Sequence, residues 1–262
     1  MNNMNKRDHV NDLYVKNDTL STRLGLHDKY SANAYGFYNW IFDQFAFSEG
    51  FRVLELGCGT GRIWANRRLP KDMKVTLTDV SDLMLSKAKS ALNGNPGFEF
   101  RKADIQRICF PDACFDAVIA NHMLYHVPDL DSGLSEAARV LAPGGRFYAT
   151  TNGENTLLEL QQIYKSFEGR GTFTYAKDVP FTLRNGRAVL KRHFRHVELR
   201  EYIDALRVTD VNDLFEYVKS YNQIPEEIED AFRAELENRF DENGVFHITK
   251  EQGIFICSQA ID

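Results

Sequence analysis

Between Phe51 and Asn152 the chain alternates short apolar runs with longer stretches whose apolar residues recur at helical spacing. That alternation predicts a parallel sheet with helices on both faces. "RVLELG" reads as a first strand followed by a helix through "GRIWANRRL", and "KVTLTDV" as a second strand followed by a helix at "SDLMLSKAKSALN". In the second helix Ser81 is the expected N-cap, and Leu83, Met84, Ala88 and Leu92 share one face before "NGNPG" turns the chain. "FEFRKAD" and "FDAVIAN" follow as third and fourth strands. "LDSGLSEAARVL" reads as a helix, and "GRFYATTN" as a fifth strand entered through the turn "APGG".

Beyond residue 152 the pattern loosens. Helices are expected at "NTLLELQQIYKSF" and "VNDLFEYVKSY" and a strand at "GIFICSQ", whereas "EGRGTFTYAKDVPFTLRNG" reads as irregular and "HVELREYIDALRV" fits no single period. Ahead of the first strand, "LGLHDKYSANAYGFYNWIFDQFAF" is dense in aromatic rings. Most of these rings are expected to pack on the core, and the segment stands where it can fold over the carboxyl edge of the sheet as a lid.

Composition narrows the setting more than the function. A chain of 262 residues with 43% hydrophobic and 26% charged residues suits one globular domain with an elaboration. A net charge of −5 gives no general attraction to nucleic acid or to an anionic membrane. Cys58, Cys109, Cys114 and Cys257 form no CxxC pair and "MNNMNKRDHV" lacks the apolar core of a signal peptide, so a reducing, cytoplasmic protein is expected. No apolar run approaches the ~20 residues of a membrane-spanning helix.

Candidate chemistry starts at "VLELGCGTGR". Gly57, Gly59 and Gly61 allow a sharp turn between strand and helix and close approach of a ligand to the backbone. A dinucleotide site wants GxGxxG, but the spacing here is GxGxG and Arg62 stands at the third-glycine position. A phosphate-cradling loop would end in GK[ST], and "GTGR" supplies no lysine. With Glu55 ahead of the turn, a ligand carrying positive charge and needing little phosphate recognition fits better.

Together with "VTLTDVSDLML", "RKADIQRICFPDACFDAVIANHMLYHV" and "VLAPGGRFYATT", the loop gives four blocks in order. Over roughly residues 50–152 the sequence resembles the class I, Rossmann-like S-adenosylmethionine-dependent methyltransferases, in particular their quinone-biosynthesis branch. The resemblance implies an α/β fold: a seven-stranded, mostly parallel sheet with helices on both faces, an N-terminal helical lid over residues 1–49 and a methyltransferase domain over 50–262. An insertion after strand five, residues 153–245, is expected to build the acceptor pocket. It implies S-adenosylmethionine as cofactor and S-adenosylhomocysteine as product. Glu55, Gly57 and Gly59 would serve the methionine end, Asp79 the ribose hydroxyls, Asp104 the adenine amino group, Ile105 a backbone contact, and Val80 and Met84 the ring faces.

"ANHMLYHV" follows the fourth strand, where ligands of open α/β sheets bind. Asn121 is therefore expected near the cofactor and His122 near the methyl group, as proton acceptor or as a cofactor contact. His122 and His126 stand four apart, but "HMLYH" supplies neither the third ligand nor the intervening Glu of a zinc site, and no metal is expected. Asn121 replaces the acidic residue that holds magnesium in catechol-type enzymes, and "NHML" lacks both prolines of the DNA-adenine block. In the N-terminal segment Arg23 is the candidate partner of the cofactor carboxylate and Tyr30 a candidate lid contact at the reacting end.

The leading expectation is methyl transfer to a small acceptor through O, N or C. The basic run Arg170, Lys177, Arg184, Arg187, Lys191, Arg192, Arg195 and Arg200 keeps an RNA or other polyanion methyltransferase as an alternative, although no RNA-binding module accompanies it. A non-catalytic cofactor-binding protein is the third. DNA and membrane partners are not expected, and the sequence gives no oligomeric state.

Overall fold

A computed structural model describes residues 17–92, 95–170 and 179–261 of the chain. In chain order it contains α1 (Asn17–Tyr30), α2 (Phe37–Gln44), β1 (Arg52–Leu56), β2 (Lys74–Asp79), α3 (Asp82–Ala91), β3 (Phe98–Lys102), β4 (Phe115–Asn121), α4 (Leu130–Val140) and β5 (Leu141–Asn152). Then come α5 (Leu158–Ser166), α6 (Leu183–Leu190), β6 (Phe194–Val208), α7 (Val211–Tyr221), α8 (Glu226–Glu237) and β7 (Phe246–Ala260). The seven strands form one sheet in the order β3-β2-β1-β4-β5-β7-β6. Strands β3 through β5 pair in parallel, and β7 runs antiparallel to both β5 and β6.

Strict side-chain alternation on the central strands builds two apolar layers. Leu54 and Leu56, Val118 and Ala120, Phe147 and Ala149, and Phe255 and Cys257 face one side, where α4 and α6 cover them. Their neighbours Val53, Ala117, Ile119, Tyr148 and Ile254 face the other, packed on α2, α3 and the indole of Trp64. Ser81 caps α3 as expected, accepting from the Met84 amide, and Asp129 caps α4, accepting from the Ser132 amide.

Beyond the carboxyl ends of the parallel strands, β6 and β7 continue as a two-stranded arm. Pairing between β5 and β7 ends at Asn152 and Gln252, while β6 and β7 stay paired to Val208 and Phe246. A third apolar cluster sits on this arm, built from Leu26 and Tyr30 of α1, Leu160 and Ile163 of α5, Leu214 and Phe215 of α7, and Phe232 and Leu236 of α8. The helical cap therefore stands over the sheet edge at which the glycine loop opens.

Several expectations change here. "GRIWANRRL" forms only a short 3-10 turn, Arg62–Trp64, because Asn66 adopts a left-handed backbone (φ 60°) and Pro70 follows closely. "FTLRNG", read as irregular, starts α6: Thr182 and Asn185 form a reciprocal capping box. "HVELREYIDALRV" becomes the edge strand β6, and α8 was not foreseen. The N-terminal segment does not act as one piece. Its α1 joins the cap, whereas Ile41 of α2 and Phe45 just after it pack beneath the sheet. Lys177, part of the "NGNPG" turn and the N-terminal "MNNMNKRDHV" lie outside the described residues.

Candidate active site

At the end of β1 the chain must turn sharply, and Gly57 and Gly59 do so with left-handed backbones, φ 64° and 55°. A Cβ on Gly57 would meet the Met123 side chain at 3.0 Å, whereas a Cβ on Gly59 would project into open space. The amide of Cys58 donates to the Thr78 carbonyl at 2.8 Å, which pins the loop to β2. Asp79, closing β2, completes the cradle: one carboxylate oxygen accepts from the Gly59 amide and the other from the Ser81 amide, each at 2.9 Å. Burial pushes the Asp79 carboxyl upward against those two amides.

Glu55 is the buried acid of the site, 1% exposed. Its two oxygens accept from the Trp64 indole at 2.6 Å and the Asn121 amide at 2.9 Å. Burial outweighs these bonds and raises its pKa from 4.5 to about 7. Asn121 in turn accepts from the Thr150 hydroxyl, so the ends of β1, β4 and β5 share one network.

His122 follows with a left-handed backbone, φ 48°, held because its amide donates to the Thr150 carbonyl and hydroxyl oxygen. The next turn, Leu124–His126, is 3-10, so His122 and His126 do not stand one helical turn apart on a single α-helical face. Among the described residues no group of three His, Cys, Asp or Glu side chains stands together as metal ligands. The His122 ring lies 5.3 Å from that of Phe37, and burial lowers its pKa to about 4.

A cavity of about 1820 Å³ runs from this loop to the underside of the helical cap. Drug-sized sites occupy roughly 300–1,000 Å³, so this space exceeds what one small ligand fills. Glu55, Gly57, Gly59, Asp79, Val80, Met84, Asp104, Ile105, Asn121, His122 and Arg23 all line it. Asp104 accepts from the Gln106 amide at 3.0 Å in a local turn, and Ile105 packs against Gly133 of α4.

The two N-terminal candidates fare differently. Arg23 is buried in the wall, its guanidinium 3.6 Å above the Tyr221 ring and donating to Ser220 at the end of α7. Tyr30 is not part of the lining. Its ring packs in the cap cluster and its hydroxyl donates to Asp213 of α7 at 2.7 Å.

Several wall residues were not anticipated. Arg62 donates to both carboxylate oxygens of Asp28 at 2.6 Å and stacks on Tyr38, tying the loop to α1. His27, Tyr217, Lys250 and Gln252 line the cap end of the cavity. Each comes from a distant stretch, and only the β6–β7 arm and the α1–α7 packing bring them together. The described members of the basic run disperse from the turn after α5 to β6, and Arg184 pairs with Glu154, Arg192 with Asp131 and Arg200 with Glu198.

Residues 54–149 match the family described as "Methyltransferase domain". Over 170 residues the chain is 31% identical to the ubiquinone/menaquinone biosynthesis C-methyltransferase UbiE of Neisseria meningitidis serogroup C, covering 63% of this chain and 62% of that one. It is 35% identical over 146 residues to a ubiquinone biosynthesis O-methyltransferase of Paracidovorax citrulli, covering 53% and 60%. The chain spans less than two thirds of the length of these curated relatives. In fold it is similar to phosphoethanolamine N-methyltransferase 2 of Haemonchus contortus, solved with S-adenosyl-L-methionine, at TM-score 0.59 and 18% identity, covering 97% of this chain and 59% of that one. The strand order, the glycine loop between β1 and β2 and the matched residues agree: over residues 54–149 the chain resembles the class I, Rossmann-like S-adenosylmethionine-dependent methyltransferases, and in particular their quinone-biosynthesis branch.

Proposed function

We propose that the chain transfers a methyl group from S-adenosylmethionine to a small-molecule acceptor held under the helical cap. The observation that carries this reading is the continuity of one cavity, from the Gly57–Gly59 loop with Asp79 beneath it to the aromatic and polar wall of the cap. The open side of Gly59, the left-handed turn and the acids at the ends of β1 and β2 suit a sulfonium amino acid nucleoside. In this reading Glu55 and Asn121 hold the methionine end with the loop amides, Asp79 the ribose diol, Asp104 and Ile105 the adenine edge, and Val80 and Met84 its faces. Arg23, engaged with Ser220 and Tyr221, positions the cap and leaves no strong case for a carboxylate contact.

When bound, the cofactor supplies an electrophilic methyl on a good leaving group, so the protein's own task is alignment and exclusion of water. Burial keeps His122 neutral, which suits it to accept a hydrogen bond from the acceptor more than to take its proton. In this reading α1 with the helical cap forms the acceptor side, and the sheet from β1 onward carries the methyltransferase domain.

The same reading places the protein in a reducing, cytoplasmic setting, supported by its four free thiols. Among the described residues no helix is long and apolar enough to cross a membrane. A polyanion acceptor draws little support from arginines already paired with acids. Incubation with methyl-labelled cofactor and a metabolite extract tests the proposal. Label in a small product supports it, label in RNA transfers support to the polyanion reading, and cofactor binding without label leaves a non-catalytic binder.

A further inference from the structure

The loop between β3 and β4, residues 103–114, contains neither helix nor strand, yet one helix holds it from Ile105 to Ala113. At the far end the Ile108 amide donates to the Glu136 carboxylate at 2.7 Å. The Arg139 guanidinium donates to the Ile108 and Phe110 carbonyls, each at 2.9 Å, and to Asp112 at 2.6 Å. The Ala113 amide closes the loop on the Arg139 carbonyl at 2.9 Å. Nearer the cavity Ile105 packs on Gly133, where a Cβ would stand 3.3 Å from it. Helix α4 is therefore the template for the loop that brings Asp104 and Ile105 to the cavity wall.

Gln106, half-buried beside Asp104 in that wall, joins the loop to the other end of the helix. Its Nε2 donates to both carboxylate oxygens of Asp104, at 3.2 and 3.3 Å, and its Oε1 accepts from the Asp129 amide at 2.9 Å. Turning the side-chain amide over would set its NH2 group against a backbone N–H, so the two partners fix one orientation. Asp129 is itself anchored as the N-cap of α4, its carboxylate accepting from the Ser132 amide at 3.0 Å and the Ser132 hydroxyl at 2.6 Å. The Gln106 backbone amide also donates to Asp104, at 3.0 Å. Glu136, Arg139 and Ile105 already secure the loop on α4. The Gln106 side chain acts in addition on Asp104, the loop carboxylate that lines the cavity.

We propose that Gln106 is a positioning residue that sets the Asp104 carboxylate for the adenine amino group, with α4 as its rigid support. A freely turning aspartate loses rotamer freedom when it meets a donor, whereas one already held does not. Removing the hold therefore weakens recognition of the exocyclic amine. The rest of the cofactor half is untouched, because the glycine loop and Asp79 are braced by their own bonds. A residue that merely fastened the loop would act on every ligand of this cavity alike.

This inference rests on the methyltransferase reading and on its placement of Asp104 at the adenine edge, and the test separates the three. The full-length protein is titrated calorimetrically with S-adenosylhomocysteine and with S-inosylhomocysteine, which carries a carbonyl in place of the adenine 6-amino group. The wild type is expected to prefer the adenine ligand by at least ~10-fold. Gln106→Glu keeps an acceptor for the Asp129 amide but turns a like charge toward Asp104, and Gln106→Met removes both bonds. Each variant is expected to narrow the preference at least ~3-fold, the size of one lost hydrogen bond, through weaker binding of S-adenosylhomocysteine. An unchanged preference in either variant, or equal weakening of the two ligands, overturns the positioning role. A wild type that binds both ligands equally overturns the placement of Asp104 and this inference with it. A wild type that binds neither overturns the methyltransferase reading.

Discussion

Glu55 shows how one buried acid links the loop to the rest of the site. A carboxyl raised from 4.5 to about 7 is protonated in the folded protein at pH values where the unfolded chain has already lost its proton. Folding stability from this group is therefore complete below pH 4.5 and declines as pH rises through 7, by roughly 3 kcal/mol in all for a shift of this size. His27 and His122, lowered by burial, act oppositely: their contribution is complete above their unfolded value and falls as pH drops toward 4. The clean measurement is thus a difference. Chemical denaturation of Glu55→Gln and wild type without ligand is expected to show the variant gaining on wild type by about 1–3 kcal/mol between about pH 5 and about pH 8. A constant difference across that range would remove Glu55 as a buried, proton-binding acid. At this scale the placement of the acids and glycines at strand ends was legible, because it follows from position along the chain. Tyr30 was misplaced and His27 missed, because which face of α1 meets the cavity is set by packing on α7 and β6.

Among the elements, β1 to β5 and the helices at α3, α4 and α7 could be read because period and caps agreed locally. The helix after the glycine loop failed because Asn66 takes a left-handed backbone and Pro70 follows, and β6 failed because an edge strand with one solvated face shows weak alternation. Helix α6 carries a test of how tightly these layers meet. Alanine at Gly186 would ordinarily gain up to ~1 kcal/mol of helix propensity. Its Cβ, however, would stand 2.5 Å from the buried Phe255 ring and 3.2 Å from that of Phe181. Overpacking of a filled core costs about 1–3 kcal/mol, so Gly186→Ala is expected to destabilise despite the better helix former. A gain in urea midpoint would show that α6 does not seat on β7 as described. At the loop, Gly59→Ala keeps the fold but places a methyl in the cradle at a positive φ, and S-adenosylhomocysteine affinity is expected to fall by at least ~10-fold. Equal affinity in isothermal titration would place the ligand elsewhere.

For the whole molecule the division of labour is spatial. The parallel strands end in the loop and acids that suit a cofactor, and the β6–β7 arm lifts a helical cap over the same edge. That the two halves share one cavity was not readable, since the cap draws on residues from Arg23 to Gln252 whose proximity depends on long-range pairing. Leu24, His27 and Asp28 of α1 line this cavity, so hydrogen exchange in α1 is expected to slow when S-adenosylhomocysteine binds, while β3 amides change little. Unchanged exchange in α1 would detach the cap from the ligand. The most direct measurement is isothermal titration of the wild type and Asp79→Asn with S-adenosylhomocysteine. One site on the wild type, weakened at least ~10-fold by the single carboxylate-to-amide change, is the predicted result. An absence of binding to the wild type, or equal affinity in the variant, would contradict the assignment of this cavity.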